Sequence, residues 1–298
     1  MKKFLIKSGI FVAFFLIFSV LANCIFLLII IKTDFDFKKR LESVKLIKPD
    51  FNVLVLGAST ALDGFDTELL TTNGFKAYNL ALGGASIRTS ILQLEEYLDI
   101  CSKKPDYIII GLNSQLVQTF DEDEINPIVE VTAKGYHFGL RDVPIVKLQW
   151  LGTEFLKKVV SKDIRQARLS YGQLRTERKK TDQTAFQQLD LNISMFKSSY
   201  WLGELSKTCH DHAIRLMIIE MPGFLETRNI SSIGPHKITF PNGYHSYLYN
   251  FNSIEFCDFF DPSEDWLGNS HLNRFGAEKF TMALLPYLTG MPLQQEHN

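Results

Sequence analysis

An uncharged, strongly apolar stretch near the N-terminus constrains the fold of this chain more than any other feature. The stretch Ser8–Ile31 lies between Lys7 and Lys32 and contains no Asp, Glu, Lys or Arg. As a helix, its 24 residues span roughly 36 Å, enough to cross a hydrocarbon core of about 30 Å. We therefore expect a short N-terminal tail over residues 1–7 and one transmembrane segment over residues 8–32.

A cleavable secretory signal is the main alternative for this stretch. The apolar region of such a signal has about 7–15 residues and is followed by a cleavage site of small residues. Here the apolar run continues to Ile31 and is followed by Lys32, Thr33 and Asp34, so an uncleaved signal anchor is favoured. Basic residues flank both ends, so the flanking charges do not favour export of the remainder. Long domains translocate regardless of such charges, and the function considered below favours an external domain.

Composition removes several other classes of function. The chain has 32 basic and 33 acidic residues, a net charge of −1, which favours neither a nucleic-acid partner nor an acidic tail. The cysteines are widely spaced and include no Cys-x-x-Cys pair: Cys24, Cys101, Cys209 and Cys257. This pattern is neither a disulfide framework nor a zinc site, so we expect buried free thiols and no metal. One pair would bridge only in an oxidising compartment.

Short apolar runs that alternate with helical patterns predict an α/β domain. Continuous apolar strands are typical of a parallel sheet that is buried on both faces. The predicted strands are Val53–Leu56, Lys76–Leu82, Tyr107–Ile110 and Arg215–Ile219, and the helices between and after them are Ile87–Ile100 and Arg274–Leu288. We expect one such domain over residues 51–290, with helices on both faces, a charged connector over residues 33–50 and a C-terminal tail over residues 291–298.

Residues 120–205 interrupt this alternation. Leu148–Lys180 and Phe186–Leu205 both have helical patterns, and no Pro/Gly-rich linker delimits them, so we interpret them as a helical insertion. Basic residues are concentrated between Arg165 and Lys180. They indicate a solvated helix face or, alternatively, a surface for anionic lipid or an anionic polymer.

Three peptides that follow predicted strands carry residues suited to acyl chemistry. In open α/β sheets, ligands bind beyond the carboxyl ends of the strands. Ser59 follows the first strand, the Gly83-Gly84 pair follows the second, and Asn113 follows the third. The N–H of Ser59, an N–H at Gly83 or Gly84 and the amide of Asn113 would bind a developing oxyanion. His271, shortly before the last helix, would accept the proton of Ser59.

The order Ser, Gly, Asn, His resembles the SGNH (GDSL-like) hydrolase superfamily. On that resemblance Ser59 matches the nucleophile, Gly83 or Gly84 the second-block glycine, Asn113 the third-block asparagine and His271 the base. The resemblance implies a three-layer α/β/α, flavodoxin-like fold with a central parallel sheet, and no cofactor. The peptide His271-Leu-Asn-x-x-Gly276 is similar to that of membrane-anchored bacterial members that modify cell-envelope polysaccharides.

Two positions depart from the family pattern. Ala58 stands where the family usually has an Asp before the serine. The attack by the serine does not require that Asp. Gly268 stands where the family usually places the triad Asp, three residues before the histidine. Asp265 is the candidate replacement, Asp261 could take the same role, and Asn269 could orient the ring without charge. If none of these supports the imidazole, Ser59 and His271 act as a dyad.

Together these features predict a membrane-anchored serine esterase or O-acyltransferase. Its substrate would be an acyl ester of cell-envelope polysaccharide or a related glycan, and envelope-biosynthesis proteins would be its partners. The expected location is the bacterial inner (cytoplasmic) membrane, with the catalytic domain on the extracytoplasmic side. The alternative is a catalytically impaired SGNH-fold protein that binds or assembles envelope polymers. A nucleotide-binding protein is disfavoured, because Gly57-Ala58-Ser59-Thr60 lacks a phosphate-loop lysine.

Overall fold

The computed structural model describes most of the chain, in two compact units. The described residues are 2–32, 50–113, 125–126, 129, 143–149, 152–153, 155–156, 168–170, 172–177, 179, 188–223, 228–268 and 270–290. The first unit comprises residues 1–39 and 130–166, and the second comprises residues 40–129 and 167–298. Most of the predicted connector and the predicted C-terminal tail lie outside the described residues.

The elements are as follows in chain order. The helices are α1 Lys2–Lys32, α2 Ser59–Gly64, α3 Thr67–Thr72, α4 Ile87–Ile100, α5 Pro144–Lys147, α6 Ile193–Ser198, α7 Tyr200–Asp211, α8 Ile254–Cys257 and α9 Arg274–Thr289. The strands are β1 Val53–Gly57, β2 Ala77–Asn79, β3 Tyr107–Leu112, β4 Arg168–Ser170, β5 Gln173–Arg175, β6 Gln188–Leu189, β7 Arg215–Glu220, β8 Arg228–Asn229, β9 His236–Thr239 and β10 His245–Asn250.

In the first unit, α1 contains the uncharged stretch. Lys2–Ile30 is long and apolar enough to span a membrane, with a mean hydropathy of 2.8 in its most apolar window. An N-terminal signal sequence would share this property. The predicted long apolar helix is therefore present, and α5 packs against it.

The second unit contains a mixed α/β fold around a six-stranded sheet. The strand order is β2-β1-β3-β7-β10-β9, and every neighbouring pair is parallel except β10–β9. The four predicted strands are all present, although β2 is shorter than predicted. Their continuous apolar sequences are explained by burial, because every residue of β1 and β3 is buried.

Alternate residues of the strands contribute to two separate buried clusters. Leu54, Ile108 and Leu216 join one cluster, together with residues of α4 and α7. Their neighbours Val55, Ile109 and Met217 join the other, together with residues of α2, α3 and α9. Both predicted helices are confirmed, α4 at its predicted bounds and α9 to within one residue. Phe275, an apolar residue in the first turn of α9, does not join this cluster, since its side chain is 40% exposed.

The prediction of a helical insertion is wrong for part of its length. β4 and β5 form an antiparallel hairpin within Leu148–Lys180, and β6 lies at the start of Phe186–Leu205. Nor do the two basic residues of this region whose ion pairs are described form a free helix face. Arg175 lies in β5 and pairs with Asp66 and Glu68, while Lys179 pairs with Glu264. These carboxylates are distant in sequence, so a local pattern could not indicate the pairing. Arg165, Arg178 and Lys180 lie outside the described residues.

The chain changes direction along the sheet between β1 and β3. From β1 it crosses to β2 on one side, and from β3 onward the parallel strands follow on the other side. The carboxyl ends of β1 and β3 approach closely there, where Gly57 pairs in register with Gly111. Gly57 has φ +126°, and a Cβ on it would lie 2.4 Å from the Gly111 carbonyl oxygen, so only glycine fits. In α/β sheets such a switch point is the usual place for a ligand.

Candidate active site

The side chains of Ser59 and His271 meet at the carboxyl end of β1. Ser59 is the first residue of α2, two residues after β1 ends, and His271 lies three residues before α9. The Oγ of Ser59 is 2.8 Å from Nε2 of His271, although 212 residues separate them in sequence. Both residues are half-buried, so the pair is held by the fold and still open to a ligand.

The loop that carries His271 is a short antiparallel turn. Trp266 and Leu272 form a β-bridge, and the carbonyl oxygen of His271 accepts hydrogen bonds from the N–H groups of Leu267 (2.9 Å) and Gly268 (3.3 Å). The fully buried Trp266 anchors this turn in the core. These contacts hold the described backbone on both sides of His271.

Asn273 attaches this loop to α9. Its Oδ1 caps the helix by accepting from the N–H groups of Phe275 (2.9 Å) and Gly276 (3.1 Å), and its Nδ2 donates to the Glu264 carbonyl oxygen (2.5 Å). A Cβ on Gly276 would lie 2.2 Å from the Asp265 carbonyl oxygen, so the approach of helix and loop requires glycine. The Asn and Gly of the peptide that follows His271 thus hold its loop.

The carboxylate of Asp265 does not reach His271. Asp265 is 1% exposed, and its Oδ2 accepts from the backbone N–H of Asp261 (2.6 Å) and from Nζ of Lys279 (2.7 Å). Its Oδ1 is buried without a hydrogen-bond partner. The expectation that Asp265 replaces the triad acid is therefore not met in this geometry, because Lys279 in α9 holds the carboxylate instead.

Asp261 does not reach the imidazole either. Its Oδ1 accepts from the N–H and the hydroxyl of Ser263, which lower the pKa of the carboxyl group, and from the N–H of Glu264. Asn269, the neutral alternative, lies outside the described residues. Within the described part of the chain, no carboxylate hydrogen-bonds to either ring nitrogen of His271.

The second ring nitrogen of His271 faces a hydroxyl. Its Nδ1 is 3.3 Å from the Oγ of Ser270. Burial lowers the pKa of His271, because desolvation penalises the charged imidazolium. Burial therefore favours the neutral imidazole, the form in which Nε2 can accept a hydrogen bond from the Ser59 hydroxyl.

The predicted oxyanion donors lie at the same edge of the sheet. The Leu82 N–H donates to the Gly57 carbonyl oxygen (3.0 Å), which fixes the turn containing Gly83 and Gly84 beside the end of β1. Gly84 has φ +70°, and open space surrounds the Cβ position of both glycines. Asn113 is buried directly after β3. Gly57 of β1 pairs with Gly111 of β3, and Ser59 and Asn113 each lie two residues after these paired glycines, so both lie at the carboxyl ends of neighbouring strands.

Asn79 is a site-forming residue to which the sequence analysis gave no role. It is fully buried at the end of β2, and its Nδ2 donates to the carbonyl oxygens of Ala61 (3.0 Å) and Leu62 (3.3 Å) in α2. Its Oδ1 accepts from the Ala81 N–H (2.9 Å). Asn79 therefore joins the helix of Ser59 to the chain that leads into the glycine turn. The sequence feature that could have identified Asn79 is its place as a polar residue at the end of a buried strand.

The β4–β5 hairpin also packs against α2. The Nε2 of Gln173 donates to the Asp63 carbonyl oxygen in α2 (3.3 Å), and Gln173 is fully buried. At its other end, the Thr176 carbonyl oxygen accepts from the N–H of Arg274, the first residue of α9 (2.8 Å). The hairpin thus bridges the elements that carry Ser59 and His271.

Among the described residues, no group of three or more His, Cys, Asp or Glu side chains is placed to hold a metal ion. The four cysteines are free thiols.

No protein-family model matches the chain, and neither does any curated protein sequence.

Proposed function

We propose that this chain is a membrane-anchored serine esterase or O-acyltransferase of the SGNH type, acting on acyl esters of cell-envelope polysaccharide or related glycans. The observation that carries the proposal is the 2.8 Å contact between Ser59 Oγ and His271 Nε2. Its position at the sheet's switch point supports it. The parallel strands, counted in chain order, run 2-1-3-4-5, which supports a three-layer, flavodoxin-like arrangement.

The proposed reaction uses the two side chains in turn. Ser59 O–H donates to Nε2 of His271, and the neutral imidazole accepts that proton as Oγ attacks the acyl carbonyl carbon. The imidazolium then returns the proton to the leaving alcohol oxygen. Water or a sugar hydroxyl next attacks the acyl-serine, again with His271 as the base, and releases Ser59.

Three donors would stabilise the oxyanion in this reaction. They are the N–H of Ser59 in the first turn of α2, an N–H of the Gly83-Gly84 turn and the side-chain amide of Asn113. Loss of one such donor typically lowers the rate by about 10²–10³. The open space around the glycine turn supports this role, since a substrate oxygen needs access to the backbone there.

Among the residues that the structure describes, no carboxylate hydrogen-bonds to His271, which favours a second candidate function, an impaired SGNH-type protein that binds or assembles envelope polymers. In the serine-protease template, loss of the carboxylate partner lowers the rate by about 10⁴. Here the Ser270 hydroxyl is the partner of Nδ1, and it offers orientation without charge. The two candidates share one fold and differ in turnover.

The N-terminal helix supports the proposed location. A single anchor over residues 8–32 would keep the domain at the bacterial inner membrane, and we propose that the domain lies on the extracytoplasmic side. Confinement at the surface where acylated glycans are made raises the effective concentration of enzyme and substrate. Envelope-biosynthesis proteins would then be its partners.

The test is hydrolysis of a soluble acetyl ester by the full chain in detergent, together with labelling by a fluorophosphonate probe. Ser59→Ala and His271→Ala should each abolish both signals, whereas Ser232→Ala, at an exposed serine, should keep them. Turnover by Ser59→Ala equal to wild type would refute the nucleophile. No turnover by wild type, combined with Ser59-independent glycan binding, would select the binding protein. Adding an acylated glycan and an acceptor sugar separates transfer from hydrolysis.

A further inference from the structure

We propose that a second part of the chain contacts the lipid bilayer, beside α1. The interfacial segment is defined here as the described residues of 143–149, 152–153 and 155–156, and it includes α5. It would lie at the membrane surface with one side against α1 and its apolar side chains toward lipid. This inference rests on the proposal that α1 is a membrane anchor, but it is independent of the esterase chemistry.

The interfacial segment is attached to α1 by a polar contact within the uncharged stretch. Oδ1 of Asn23 accepts a hydrogen bond from the Ile145 N–H at the start of α5 (3.0 Å). Nδ2 of Asn23 donates to the Ser19 carbonyl oxygen (2.8 Å). Both ends of the amide are therefore satisfied within the protein, as an apolar medium requires.

Close packing continues along the same side of α1. A Cβ on Gly152 would lie 3.0 Å from the ring of Phe26, so a glycine lets the segment approach the helix. Leu27 and Ile30 are buried, whereas most large apolar side chains of α1 are exposed. The side of α1 near its C-terminal end is thus covered by protein, and the rest is left for lipid.

The contacts define a depth in the membrane. The 24 residues Ser8–Ile31 form a helix about 36 Å long, roughly 3 Å beyond a 30 Å hydrocarbon core at each end. Asn23 lies eight residues and Phe26 five residues before Ile31, which places them about 9 Å and 5 Å inside the core. Elements that lie in the membrane surface are buried by about 5–10 Å. The contact positions match that depth.

The exposed side chains of the interfacial segment fit lipid. Val143, Ile145, Val146 and Leu156 are exposed although they are large and apolar, while Leu148 is fully buried. Such a group is unusual on a surface that faces water. It is continuous with the exposed apolar surface of α1, and that continuity selects the bilayer as the occupant.

The test places a fluorescent label in the full chain in liposomes. The four native cysteines are replaced, and single variants Val146→Cys, Phe18→Cys and Ile230→Cys are labelled with an environment-sensitive fluorophore. These three side chains are similarly exposed, at 65%, 61% and 63%, and Ile230 belongs to the second unit. Quenching is measured with a lipid carrying a nitroxide near its headgroup and with aqueous iodide.

The label at Val146→Cys should be quenched by the nitroxide lipid about threefold more than the label at Ile230→Cys, and less by iodide. Quenching by iodide alone would overturn the inference, because the segment would face water. Protection from both quenchers would overturn it too, because a protein would cover the segment. If the nitroxide lipid does not quench the label at Phe18→Cys, the proposal that α1 is a membrane anchor is refuted. If it quenches the label at Phe18→Cys but not the label at Val146→Cys, only the inference about the interfacial segment is refuted.

Discussion

Gly268→Asp tests whether a carboxylate beside His271, which none of the described residues supplies, would increase the proposed activity. Gly268 lies in the loop of His271, its N–H donates to the His271 carbonyl oxygen, and no atom lies within 4 Å of a Cβ built on it. Its φ is outside the left-handed region, so an L side chain fits without strain. The substitution therefore adds a negative charge near the ring at little structural cost.

The magnitude follows from the geometry of this loop. At about 5 Å and an effective dielectric constant of about 20, a carboxylate and an imidazolium attract by about 3 kcal/mol. Gly268 is half-buried, so solvent screening reduces this to about 1–2 kcal/mol. That energy stabilises the imidazolium formed during attack and should raise kcat/KM by roughly 5–30-fold.

The assay is ester hydrolysis as a function of pH, with Gly268→Asn as the neutral control of similar size. A carboxylate raises the pKa of His271, so the acid limb of the profile should move to higher pH in Gly268→Asp and stay in place in Gly268→Asn. Identical profiles and rates for the two variants would refute the reasoning. A matching gain in both would assign the effect to loop rigidity.

Three further predictions follow from the described contacts. Because burial lowers the pKa of His271, wild-type activity should persist below the pH at which an ordinary histidine protonates; an acid limb at or above that pH would contradict this. Gly57→Ala should lower the free energy of unfolding by about 2–4 kcal/mol in thermal denaturation, whereas Gly74→Ala, with φ +91° and open space, should cost about 1 kcal/mol. Lys279→Met should lower the free energy of unfolding, measured with denaturant, by about 2–4 kcal/mol, because it leaves the buried Asp265 carboxylate without its ion pair. The double variant Lys279→Met with Asp265→Asn should recover much of that stability.

The sheet and its flanking helices could be predicted because their signals are local. β1, β3 and β7 are continuous apolar runs, and α4 has a regular helical period. β10 was not predicted, since its sequence His-Ser-Tyr-Leu-Tyr-Asn contains polar residues that the fold buries individually. Ser246, for example, is fully buried and donates to the Leu216 carbonyl oxygen (2.7 Å).

The sequence was sufficient to select Ser59 and His271 as residues of the candidate site. It was not sufficient to predict which charged side chains around them form ion pairs. Ser59 and His271 were selected by their places at element ends, and the structure brings them together. Asp265 was selected by proximity in sequence to His271, but Lys279, one helical turn into α9, lies closer to its carboxylate. The β4–β5 hairpin was misread as helix for a similar reason. Its ion pairs with α3 and its packing on α2 are long-range contacts that a local period cannot show.

The 212-residue separation between Ser59 and His271 has a consequence for synthesis. A ribosome that has made Ser59, the glycine turn and β3 has not yet made His271 or the helix that holds its loop. Throughout that interval Ser59 lacks the imidazole that contacts it in the folded chain. If Ser59 is the nucleophile that we propose, its chemistry can begin only after α9 has docked and its cap has fixed the loop of His271.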